Sequence, residues 1–357
     1  MRDTTVEWVR DPEGFAALKT EWDRLLPGDA RPFDLHCWYL AWWEAFGAGR
    51  EPAICTVRRD GDLVGALPLL REGRRLSAMA NTHSPVFRPL ARDEAAREQL
   101  LGAVLAEGAS ELRLIALPEG DPSLERLRAA GGAPMQAAFE AGQVSPLVET
   151  SGSFEDWRKR SKPRWGAPLE RFRRKMGRDY EAVTSIVEAP ADLDAELEEG
   201  FRVEASGWKG EQGTAILSAP ETHAFYLAVA RAFHARDELR LSRIVLDGRT
   251  AAFDLCLLHG GRLYLLKTGF DESFRRLAPG LVMRLSIVER CFELGLDAHE
   301  LLGDDSEWKR KFATGERRHL ELRAYPRTPL GSLRRAYRGR LRPHLRDAYR
   351  RLRARRS

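Results

Sequence analysis

A chain of 357 residues, 43% hydrophobic and 31% charged, is long enough for two domains and too apolar to stay unfolded. Its four cysteines, Cys37, Cys55, Cys256 and Cys291, have no CxxC spacing, which argues against a zinc ribbon or a disulfide framework, and no apolar run approaches the ~18 residues of a membrane-spanning helix. The net charge of +5 is unevenly placed: residues 331–357 hold eleven arginines and one acid, Asp347, so that +10 there leaves −5 on the other 330 residues.

The N-terminal segment lacks the apolar core of a signal peptide, so the expected location is cytoplasmic. Phe15, Leu18, Trp22 and Leu25 fit one amphipathic helix. Asp34 is a candidate N-cap for a second helix, Leu35 to Gly47. Its Trp38, Trp42 and Trp43 read as core first and as a ligand-stacking wall second. Ala53 to Leu70 is a strand, an Asp60-Gly61 turn and a strand, which signals a hairpin. A third strand is expected near 75–80, a helix over 92–107 and a strand over Glu111–Leu117.

A basic stretch follows, from Phe154 through Arg171 to Gly177, and predicts a helical connector broken near Pro163 and Pro168. Its charges read as a solvated face or as a surface for an anionic substrate or nucleic acid. A helix over Leu193–Ala205 precedes Ser206-Gly207-Trp208-Lys209-Gly210. The first series of elements then recurs. Leu239–Leu246 and Thr250–Leu258 flank an Asp247-Gly248 turn, Gly260-Gly261 is another turn, and Arg262–Lys267 is a strand. A helix over 281–294 and a strand over 298–303 complete it. Two series opened by the same type of turn indicate an internal duplication of an α/β unit with a mixed sheet.

The series differ at one place. In the second, Arg275, Arg276, Pro279 and Gly280 lead into the helix over 281–294, whose Leu281, Leu285, Val288 and Phe292 share one face. A strand, a basic loop with a glycine and a helix N-terminus form one way to hold a pyrophosphate. Plain turn punctuation is the other meaning of Pro-Gly here. The first series has Asn81 to Pro89 in the equivalent place, with no glycine.

Taken together, Phe33 to Phe46, Asp60-Gly61 to Pro68, the basic connector, Ser206 to Gly210, Lys267 to Asp271, Ala278 to Gly280 and Gly303 to Lys309 resemble a known family. It is the CelD and BioF2-like acetyltransferase-domain family of the GNAT superfamily, itself similar to Fem-type aminoacyl transferases. The likeness runs from about residue 10 to 325. It implies two tandem GNAT-like units sharing a cleft, with divisions at 1–150, 151–180 (connector), 181–330 and 331–357 (basic helical tail). It also implies N-acyl transfer from acyl-CoA to an amine on a sugar, amino acid or envelope or exopolysaccharide precursor. Aminoacyl transfer from charged tRNA and a non-catalytic assembly role are the alternatives. The loop departs from the GNAT phosphate pattern in having one glycine, Gly280.

Acyl transfer needs a polarised carbonyl, a neutral amine and near-attack placement. Candidate bases are Asp304, which shares the end of the last strand with Asp305, and Glu204; Asp304 reads equally as a helix cap. Lys309 is a candidate for charge stabilisation. Lys267, Arg275, Arg276, Pro279 and Gly280 are the expected donor-binding residues, and Trp208, Lys209 and Asp271 the expected acceptor-binding ones. The isolated histidines lack metal-ligand spacing, so no metal is expected. The tail, with Leu333, Tyr337, Leu341, Leu345 and Tyr349 near helical spacing, reads as a stripe packed on the body or as a contact for an anionic inner membrane face or RNA.

Overall fold

Asp60-Gly61 and Asp247-Gly248 both turn with positive φ, 51° and 87° in the first pair and 49° and 76° in the second. That geometry reverses a twisted strand in two residues. The computed structural model describes residues 3–129, 134–160, 163–187, 190, 192–207, 210 and 212–337. In chain order the elements begin with β1 (Thr4–Val9), α1 (Pro12–Ala17), α2 (Lys19–Leu25), α3 (His36–Phe46), β2 (Glu51–Arg59) and β3 (Asp62–Glu72). Next come β4 (Arg75–Ala78), β5 (Leu90–Ala91), α4 (Glu94–Ala106), β6 (Glu111–Pro118), α5 (Ser123–Ala129) and β7 (Met135–Glu149). They continue with α6 (Phe154–Arg160), α7 (Pro163–Asp179), β8 (Ala182–Val187), α8 (Leu193–Ala205), α9 (Pro220–His234), β9 (Leu239–Leu246) and β10 (Arg249–His259). Last are β11 (Arg262–Phe270), α10 (Pro279–Glu293), β12 (Ala298–Glu300), α11 (Glu307–Phe312), β13 (Gly315–Pro326) and α12 (Pro329–Ala336).

The chain divides into two units, one within residues 1–28, 49–142 and 319–357, the other within 29–48 and 143–318. The first has strand order β1-β2-β3-β4-β6-β13, with β5 on β3. Among its described residues only β4 and β6 run parallel. The second has the order β8-β9-β10-β11-β12-β7, and among its described residues only β11 and β12 run parallel. The sequence of strand senses is the same, so the duplication expected from the two turns holds as topology. Each is a mixed sheet flanked by helices. The strand beside β6 is β13, through His319 to Ala324, and the strand beside β12 is β7, through Leu147 to Glu149.

Four local expectations change. Phe15, Leu18, Trp22 and Leu25 are all buried, but on two helices that meet at Leu18. Asp34 does not cap α3: its carboxylate accepts the Arg31 N–H at 2.9 Å, and Leu35 precedes the helix without a side-chain cap. The Trp-rich α3 belongs to the second unit and not to a unit spanning 1–150. Aromatic packing explains this, because Trp38 and Phe46 lie 5.2 and 5.3 Å from Phe225 of α9, and Phe33 lies 5.5 Å from Tyr264 of β11. Burying each such ring contributes about 2 kcal/mol or more. Finally, α7 continues through Pro168. A proline in the second turn removes the partner of one carbonyl only, while Leu169 and Met176 are buried in the core that includes Val282, Leu285 and Val288 of α10.

Two glycines let α8 lie directly on the sheet of the second unit. A Cβ on Gly200 would overlap the Phe253 ring of β10, and one on Gly269 of β11 would overlap the Cα of Glu204. Close backbone approach of this kind requires glycine. It puts Glu204, on the last turn of α8, against the end of β11.

Candidate active site

β11 and β12 pair only at Arg262–Tyr264 against Ala298–Glu300. Beyond Tyr264, β11 runs on to Phe270 while β12 has ended. This splay opens one edge of β11 toward the start of α10. There lies a cavity of about 350 Å³, lined by Glu204, Gly207, Thr268, Gly269, Phe270, Arg275, Ala278, Gly280, Leu281 and Trp308. Every lining residue belongs to the second unit. The size lies in the usual range for small-molecule sites.

The outer end of the cavity is the N-terminus of α10. Ala278 adopts a left-handed conformation, φ 48° and ψ 51°, and turns the chain into Pro279. Such a conformation is disfavoured for a residue with a Cβ and marks a strained position. Pro279 suits the first helical position because the missing N–H has no intrahelical acceptor there. At Gly280 a Cβ would point at the Phe270 ring, 3.6 Å away, so any side chain there would grow into the cavity. Arg275 lines the mouth with its side chain largely exposed.

The inner end carries Glu204, which is 2% exposed. Its carboxylate accepts the Ile216 N–H at 2.9 Å. Burial, reinforced by the Glu204 charge, raises the pKa of Tyr226 and keeps its phenol protonated. The Lys267 ammonium stands over the Tyr226 ring at 4.8 Å from its centroid. Among the described residues Glu204 is the one carboxylate in the cavity lining, and Tyr226 and Lys267 lie outside that lining.

The Trp308 wall has a charged support behind it. Buried Arg284 of α10 pairs with Asp254 of β10 and lies 5.7 Å from the Trp308 ring centroid. A guanidinium can only donate, so Nη1 donates to His299 Nε2 at 2.6 Å, and the His299 Nδ1–H donates to the Leu263 carbonyl at 3.0 Å. The imidazole is therefore neutral in one tautomer. Burial, then the Arg284 charge, hold its pKa down at about 3.

Of the residues singled out in the sequence, Glu204, Arg275 and Gly280 meet in the cavity. Lys267 lies outside the lining with its ammonium over Tyr226, Pro279 is buried next to Gly280, and Arg276 is exposed on the same loop without lining the cavity. Of the two base candidates, Asp304 is exposed and outside the cavity, whereas Glu204 lines it. The Lys309 ammonium donates to the carbonyls of Leu302 and, at 3.1 Å, Asp304, and so holds the loop after β12. Asp305 pairs with Arg310 at 2.5 Å. Asp271 caps the turn over Glu272–Leu277, accepting the Ser273 N–H at 2.8 Å and pairing with Arg249 at 2.9 Å. Burial opposes its charge, but these bonds prevail and hold its pKa below the usual carboxylate range. Trp208 and Lys209 lie outside the described residues. Thr268, Phe270, Ala278, Leu281 and Trp308 were not named as site residues, although all but Leu281 fall within the blocks that carry the resemblance. Among the described residues no group of His, Cys, Asp and Glu is placed to hold a metal ion.

A splayed parallel strand pair, with a cavity at a helix N-terminus between them, can be compared with known proteins. Residues 166–310 match the family of the acetyltransferase (GNAT) domain. The match begins inside α7 and ends inside α11, so it contains every cavity-lining residue. No curated protein matches the sequence. Among solved structures, a conserved protein of unknown function from Bacteroides thetaiotaomicron is similar over 88% of this chain and 99% of its own, with a TM-score of 0.57 and 11% identity. L-PGS from Bacillus licheniformis is similar over 87% and 91%, with a TM-score of 0.55 and 14% identity. FemX is similar over 82% and 91%, with a TM-score of 0.54 and 12% identity. At these identities the likeness is one of fold, and that fold is GNAT-like.

Proposed function

We propose that the second unit is an N-acyltransferase that takes its acyl group from acyl-CoA and passes it to an amine admitted beside Glu204. The observation that carries this is the cavity itself, which joins the open edge of β11, the N-terminus of α10 and one buried carboxylate. The residues fit such a donor. Gly280 keeps the helix start clear, the helix dipole and Arg275 favour phosphate at the mouth, and the apolar walls suit a thioester arm. Glu204 takes the proton of the attacking amine as the N–C bond forms and the C–S bond of the thioester breaks. The thiolate leaves through the mouth. The backbone of β11 past Tyr264 faces the thioester carbonyl and polarises it. Lys267 and Tyr226 fix the electrostatics behind Glu204. The CelD and BioF2-like resemblance, with an envelope or exopolysaccharide precursor as acceptor, is the finer part of this proposal.

A second reading, aminoacyl transfer from charged tRNA, has one observation in its favour. Helix α7 packs against α10 and against the turn that bears Arg275 and Arg276, and it exposes Arg171, Arg174, Lys175 and Arg178. Such a basic face suits a large polyanion. Calorimetric titration with acetyl-CoA and longer acyl-CoAs, beside gel shift with aminoacylated tRNA, separates the two. Saturable heat with the thioester supports the first reading. A tRNA complex without any thioester heat replaces it with the second.

A further inference from the structure

The last described helix is seated back to front. Thr328 caps α12 by accepting the Gly331 N–H at 3.1 Å. A Cβ on Gly331 would overlap the Pro326 carbonyl, so this position faces inward. Ser332 and Arg335 share that side, bonded to Gln136 of β7 at 3.0 and 3.1 Å. The apolar residues occupy the opposite side. Leu330, Leu333 and Tyr337 follow the three-to-four spacing of one helix face and are 58%, 65% and 50% exposed. An amphipathic helix normally buries its apolar stripe. Here glycine, serine and arginine make the seat, and the stripe faces water.

The charge around the stripe has one sign. Arg327, Arg334 and Arg335 are exposed. From Pro326 to Arg346 the sequence holds seven arginines and no acid. The remainder to Ser357 adds five arginines against Asp347 alone.

We infer that α12 docks on an anionic lipid bilayer, with Leu330, Leu333 and Tyr337 entering the headgroup boundary and the arginines beside them facing lipid phosphates. Basic charge alone suits any polyanion. An outward apolar stripe adds nothing on an RNA backbone, whereas a bilayer interface rewards both features together. The surface lies on the first unit, and the cavity lining belongs to the second. Docking is therefore a property separate from acyl transfer.

The test uses the full chain and sedimentation with vesicles of phosphatidylglycerol and phosphatidylcholine, or of phosphatidylcholine alone. The protein pellets with the anionic vesicles and not with the neutral ones. Binding falls about tenfold or more between low and high salt as screening shortens the reach of charge. L333S/Y337S weakens anionic-vesicle binding by roughly tenfold. Because both side chains are exposed, its thermal midpoint stays at that of the parent, which separates lost docking from lost folding. R334E weakens binding further and makes its dependence on salt shallower, because less of the attraction is then electrostatic. Equal binding to both vesicle types overturns the inference, as does L333S/Y337S binding like the parent. An RNA complex formed without vesicle binding overturns it in favour of a nucleic acid. A dimer in sedimentation velocity that L333S/Y337S dissolves, again without vesicle binding, overturns it in favour of self-association.

Discussion

The two units share one order of strand senses and differ at the start of the helix that follows the fourth strand. In the first unit that helix is α4. Its N-cap, Asp93, accepts the Ala96 N–H at 2.8 Å and is held by Arg59 at 2.7 and 3.1 Å. The pair with Arg59 and the bond from Ala96 keep its carboxyl well below the usual range. A fixed negative charge thus already satisfies the donors and the dipole. In the second unit the helix is α10, and its start has no side-chain cap. Ala278, Pro279 and Gly280 leave it open to a cavity. One topology therefore gives a closed helix start and an open one, and the difference at the N-cap is the carboxylate of Asp93 against Ala278. Binding capacity at such a terminus depends on what the chain itself has already placed there.

The sharpest way to break this comparison is Glu204→Gln. If Glu204 is the base in the open unit, kcat falls about 100-fold or more while the donor Kd holds. Unchanged kcat in steady-state assays removes Glu204 from the chemistry. Next is a matched pair, Gly280→Phe and Ala95→Phe, at the second position of α10 and of α4. The first fills the cavity and weakens acyl-CoA binding about 30-fold or more by calorimetry. Ala95 is exposed and its variant binds like the parent. Equal losses in both would abolish the distinction between the units.

The third test concerns the support behind Trp308. His299 is held neutral with a pKa near 3, against 6.5 for an ordinary histidine. The unfolded chain takes up a proton at the higher pH, so stability is full above about 6.5 and declines as pH falls toward 3. We expect a loss of about 2–4 kcal/mol over that window, and a flatter profile in H299Q, read by chemical unfolding at several pH values. A parent profile as flat as that of the variant refutes the buried neutral imidazole. The smallest effect is at the closed helix. Asp93→Ala costs about 1 kcal/mol of stability as a lost cap. Any gain in acyl-CoA affinity in this variant would mean that the first unit holds a latent donor site, and the comparison would need redrawing.

Much of the fold was legible because it is written locally. Asp-Gly pairs reverse strands wherever they occur, and apolar runs of strand length mark buried sheet. These features exposed the duplication. Pairing between distant residues was less legible. Nothing local assigns α3 to the second unit; Trp38 and Phe46 are apolar in either place, and only Phe225 decides. The site divides in the same way. Arg275 and Gly280 were readable from the turn before α10, since the chemistry of a helix start depends on adjacent residues. Asp304 and Glu204 were not separable in the sequence, because each is an acid at the end of an element.

Sequence by itself determined the residue at each helix start, the hairpin turns, the alternation of the strands and the concentration of arginine after residue 326. These follow from backbone conformational preference and charge, which act over a few residues. Tertiary structure alone decided which carboxylate enters the cavity and which face of α12 meets water. Glu204 reaches the cavity because Gly269 lets α8 lie on β11, and Asp304 stays outside because Lys309 binds the loop carbonyls. Both outcomes depend on close contact between segments far apart in the chain, and the energy of such contacts is absent until the chain has folded.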